Sequence, residues 1–144
     1  MKITQIREKD GVEALSVLDF NLLIEKIKTE IKTRPVTGLR QALHFVLPGE
    51  SCSFAGKLPK VIPAAVFGRV NGVKRMKVYN GIVELTVGPL AGKVEVDLVK
   101  KKAAELPQTM FAYMGASGNS VKIWTLFTRP DGTLPQTQGE AEIF

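Results

Sequence analysis

The sequence predicts an α+β fold, with a mainly antiparallel sheet and helices packed on one face. Three observations predict it. Short β-branched runs bounded by glycine, proline or asparagine recur along the chain. Apolar residues at helical spacing fill two separate stretches. Two of the strand-like runs flank an Asn71-Gly72 turn signal, the mark of antiparallel pairing. With 144 residues and 44% hydrophobic content, the chain has material for one domain, residues 1–144, with a real core.

The elements follow in order. "MKITQI" predicts a short strand, and Asp19 predicts the cap of a helix in which Phe20, Leu23, Ile24, Ile27 and Ile31 recur on one face. That helix stops before Pro35, because proline disfavours helical geometry in the residue before it, and Gly38 to His44 predict a second, short helix. "VLPGESCSFAGKLPKVIP", with three prolines and two glycines, predicts irregular chain. "AAVFGRV" and "GIVELTV" predict strands joined by a basic connecting segment. Lys93 to Leu106, with Val94, Leu98 and Ala104 among lysines and acids, predicts an amphipathic helix closed by Pro107. Strands are predicted at Thr109 to Met114 and Val121 to Phe127, before a tail without clear periodicity.

Composition narrows the function. Cys52 is the single cysteine and His44 the single histidine, which argues against disulfide, structural-zinc and histidine-centred triad chemistry. The longest apolar run, Val61 to Phe67, is broken by Pro63, and the N-terminus has no apolar stretch behind its charges, so a cytoplasmic protein without membrane contact is expected. The net charge is +6, and its placement is uneven. Between Glu50 and Glu84 there is no acid, while Lys57, Lys60, Arg69, Lys74, Arg75 and Lys77 fall there. Gathered on one surface, they would attract phosphate and release its counterions. The plainer alternative is a solvated hairpin tip that only confers solubility.

A second candidate is the turn in "YMGASGNSVKIW". Glycine and small polar residues let backbone N–H groups approach phosphate oxygens, and Lys122 follows on the next strand as a point charge. Ser117, Gly118, Asn119 and Lys122 are therefore candidate phosphate- or nucleotide-binding residues, although the same loop also serves as an ordinary hairpin connection. Trp124, Phe111 and Tyr113 on the flanking strands are candidate base-stacking platforms, or else core.

Three short motifs carry a resemblance to a known family. "FAGKLPKVIPAAVFG", Gly81 through Val87, and Ser117-Gly118 with Val121 and Lys122 together resemble the VirE-type N-terminal domain of bacterial mobile-element proteins, over roughly residues 50–128. The Lys57-to-Leu58 spacing is shorter than in that family, and Ser120 stands where its second glycine falls. The resemblance implies a primase-like, RRM-like sheet that binds single-stranded DNA or a nucleotide. It also implies a role in mobile-element replication, and a longer parent protein with a C-terminal helicase-like domain or partner. In primases an Asp-x-Asp pair on an apolar strand holds Mg²⁺ or Mn²⁺ for phosphoryl transfer. Here the two registers put Thr86 and Gly88, or Glu84 and Thr86, at those positions, so no pair forms. Glu84 is left as the candidate catalytic and metal-binding carboxylate, with Asp97, Glu95, Glu140 and Glu142 as remote partners.

Three expectations follow. One is a nucleic-acid- or nucleotide-binding module with a degenerate metal site. The others are a protein-interaction or structural domain, and an active metal-dependent nucleotidyltransferase.

Overall fold

Asp10 and Gly11 turn the chain through left-handed backbone, at φ 53° and 75°, the geometry a two-residue hairpin requires. They join Lys2–Lys9 (β1) to Val12–Asp19 (β2), paired antiparallel along their whole length. The computed structural model describes residues 1–29, 35–45 and 58–143.

Lys60–Ile62 (β3) adds to the other edge of β1 and completes a three-stranded sheet. Ala65–Val70 (β4) and Val73–Tyr79 (β5) form a two-stranded ribbon, turning at Asn71-Gly72 with φ 50° and 79°. Ile82–Val87 (β6), Thr109–Met114 (β7) and Val121–Leu126 (β8) form the third sheet, with β8 central. All three sheets are antiparallel, and the fold is α+β.

Asp19 caps the helix Phe20–Lys28 (α1) as its sequence predicts, accepting the Asn21 N–H at 2.9 Å. A second helix runs Pro35–Leu43 (α2), a third Lys93–Ala104 (α3), and a short fourth Gln138–Ile143 (α4). Strand alternation on β7 and β8 divides two cores. Trp124, Phe111 and Tyr113 join Ile3, Leu18, Leu23 and Ile82 under α1, whereas Val121, Ile123, Ala112 and Met114 pack against Val96, Val99 and Ala103 of α3. Helices therefore lie on both faces of this sheet.

The sequence reading differs from the structure in several places: helices lie on both faces of the third sheet rather than on one, α2 starts at Pro35 rather than Gly38, and Lys60–Ile62, expected within irregular chain, is the strand β3. The N-terminal strand is a full hairpin, because Asp10-Gly11 turns it. The basic segment is itself a strand, β5, and β6 leaves it to pair with β8. One expected sheet is three. The buried stripe of α3 is Val96, Val99 and Ala103, while Val94 (84% exposed) and Leu98 (56%) face outward. The tail, thought aperiodic, ends in α4, with Pro135 fully buried.

Candidate nucleic-acid interface

The ribbon owes its placement to Thr4. Its hydroxyl donates to Ala65 O at 2.9 Å and accepts the Phe67 N–H at 2.7 Å, so β4 lies edge-on against the first sheet. Arg69 extends this support, donating to Gly72 O at 2.9 Å and to Glu13 O of β2 at 3.0 Å. The far part of the ribbon, residues 69–75, is exposed at every position. Only an element with both faces open has that pattern, since a half-buried strand alternates.

The predicted basic cluster divides along this ribbon. Arg69 stands opposite Lys74 and Gly68 opposite Arg75, which puts Lys74 on one face and Arg75 on the other. The Lys74 ammonium lies 5.3 Å from the centre of the Phe67 ring. On the opposite face, a Cβ at Gly68 would overlap the Lys77 side chain, so glycine there lets Lys77 lie flat across β4 beside Arg75. Among the described residues, none of Lys74, Arg75 and Lys77 is ion-paired with a carboxylate. Lys60 stands apart, lining a shallow recess with Glu8 and Glu13. Lys57 lies outside the described residues.

The second candidate group is drawn together differently. Gly118 N–H donates to Gly115 O at 3.0 Å, Gly115 N–H to Ser120 O at 2.8 Å, and Leu90 N–H to Asn119 O at 2.7 Å. The Ser117 hydroxyl donates to the Asn119 side chain. From α2, the Arg40 guanidinium donates to Ala116 O at 3.1 Å and Gly115 O at 3.3 Å. Arg40, 75 residues before the loop, was missed in the sequence because no spacing links them. These bonds hold the loop shut on itself and on α2.

Lys122 is also engaged. Its ammonium lies 2.7 Å from Glu84 Oε1, and the Trp124 indole N–H donates to Glu84 Oε2 at 2.8 Å. Burial, with the Glu84 charge adding to it, raises the Tyr113 phenol well above the usual tyrosine range, while its bond with Trp124 opposes the shift. Trp124 is fully buried, and the partly buried Phe111 and Tyr113 pack around it with Phe20, so these rings belong to the core cluster.

The carboxylates considered as partners of Glu84 do not approach it. Asp97 pairs with Lys100 at 3.1 Å on α3, on the opposite side of the sheet. Glu95 accepts the Ala91 N–H at 2.8 Å, Glu140 pairs with Arg129 at 3.1 Å, and Glu142 accepts from Gln138 at 2.9 Å. Among the described residues, no three histidine, cysteine or acidic side chains cluster as metal ligands. No helix among them is long and apolar enough to cross a membrane.

The architecture is that of a small α+β domain with one basic two-stranded ribbon. The chain belongs to the BT4734-like, N-terminal domain family, whose model matches residues 53–144, well over half of its length. No curated protein and no solved structure matches the chain. The family match corrects the VirE-type resemblance, and the primase relation and the mobile-element role drawn from it lose their basis. The physical reason is visible in the motifs that carried it. The Ser117-Gly118 turn is closed on Arg40, and the strand from Gly81 places its one carboxylate in an ion pair.

Proposed function

We propose that this domain binds nucleic acid electrostatically, through the β4–β5 ribbon. One observation carries the reading: Lys74, Arg75 and Lys77 are exposed together on one strand of a hairpin, with no carboxylate partner among the described residues. Cations so placed displace condensed counterions from a phosphate backbone, giving binding that tolerates sequence and weakens with salt.

Fluorescence anisotropy of labelled oligonucleotides, titrated at several salt concentrations, tests this. The wild-type protein binds and the Lys74→Glu/Arg75→Glu/Lys77→Glu variant does not. Equal binding by the two proteins overturns the assignment.

A second reading rests on a different surface. Val83, Leu85 and Val87 on the edge strand β6 are 38%, 47% and 36% exposed, an apolar stripe suited to a protein partner. Its discriminator is the same triple variant, which would leave partner binding at β6 untouched.

A further inference from the structure

We infer that the β4–β5 ribbon enters a groove of double-stranded nucleic acid, with Lys74 facing one phosphate wall and Arg75 and Lys77 the other. The inference rests on the nucleic-acid reading above and names the form of nucleic acid that the same site takes.

Side chains of consecutive strand residues point to opposite sides, so Lys74 and Arg75 cannot serve one flat surface. A single strand lying across a protein meets cations on one face and rings that stack on its bases. The ribbon has neither arrangement. Phe67 is half-buried beneath the Lys74 ammonium, and Trp124, Phe111 and Tyr113 are committed to the core. A duplex groove, by contrast, offers phosphates on both sides of whatever enters it.

Dimensions agree. The major groove is about 12 Å wide and admits a two-stranded ribbon. Arg69 ties β4 to Glu13 O of β2, while the turn Asn71-Gly72 and residues 73–75 of β5 are exposed and lie open to a groove. Its tip carries Asn71, an amide suited to base edges, between Val70 (52% exposed) and Val73 (53%). The direction of approach is also set. The β4 edge is taken up by Thr4, and the Arg69 side chain bonds Glu13 O of the neighbouring β1–β2 hairpin, so that hairpin covers the β4 side. The C-terminal helix α4, which carries Glu140 and Glu142, packs against β5, so the duplex meets the tip of the ribbon.

The test compares a labelled duplex with its single strand, using the wild-type protein and two neutral variants, Lys74→Gln and Arg75→Gln/Lys77→Gln. All three positions are exposed, and a thermal melt confirms that each variant folds. The expected result is duplex binding at least about tenfold tighter than single-strand binding, with the salt slope reduced by about one for Lys74→Gln and about two for the double variant. Single-strand binding as tight as duplex binding overturns the groove assignment while leaving the nucleic-acid reading intact. So does a salt slope unchanged by Lys74→Gln, which would make the surface one-sided. Absence of binding to either form defeats the underlying reading itself, as does binding only to vesicles of anionic phospholipid.

Discussion

Across the β6–β8 pair, the Lys122 ammonium sits 2.7 Å from Glu84 Oε1, with the two side chains 32% and 26% exposed. The other carboxylate oxygen takes the buried indole of Trp124. One glutamate thus satisfies a cation and a core N–H that would otherwise lose their partner. Glu84→Gln should destabilise the domain by about 1–3 kcal/mol, the usual cost of stranding partly buried charged and polar groups. Urea unfolding measures it. Adding Lys122→Met should cost less than the sum of the two single changes, since one interaction is counted twice.

The Tyr113 phenol has its ionisation raised, first by burial and then by the Glu84 charge. A group with a raised native pKa stabilises the fold below its unfolded pKa, about 10 for tyrosine, and that contribution is lost as pH rises above it. Stability should therefore fall in the alkaline range above about pH 10. Tyr113→Phe should flatten that fall, as measured by unfolding at a series of alkaline pH values. An unchanged profile would remove Tyr113 from the account.

Gly72 has φ 79° and open space where a Cβ would go. The cost of Gly72→Ala is therefore conformational alone, on the order of 1–2 kcal/mol for an L-residue held left-handed. The same change at Gly11, with φ 75° and the same open surroundings, should cost about as much. Denaturant midpoints of the two variants check this.

Arg40 ties α2 to the 115–118 loop through two carbonyl oxygens. Arg40→Gln should speed amide exchange in residues 115–120, with little change in the exchange of the strand β8 beyond them. Exchange altered equally throughout the sheet would make Arg40 a global rather than a local support.

Some of this was readable from residues alone. Asp19 announced its helix because an N-cap acts within three residues, and Asn71-Gly72 announced its turn because only left-handed geometry uses that pair so readily. The Asp10-Gly11 hairpin carried the same signal, but its strand β2 mixes Glu13, Ser16 and Asp19 with apolar residues and shows no clean alternation. β5 was hidden for a related reason. A strand with both faces in water needs no apolar period, so "VKRMKVY" read as a connecting segment. The basic cluster was legible as charge, but its division between two faces depends on the register of Gly68 with Arg75 and Arg69 with Lys74. The closure of the Ser117-Gly118 turn was invisible, because it depends on Arg40, 75 residues away. The engagement of Lys122 likewise depends on a glutamate 38 residues earlier.

The most direct test of the ribbon as a nucleic-acid surface is a two-dimensional ¹H–¹⁵N spectrum of the domain, titrated with a short DNA duplex at low salt. The amides of residues 69–77 should shift first and saturate, while β6, β8 and the 115–120 loop stay in place. Largest shifts in the 115–120 loop, or along β6, would contradict it.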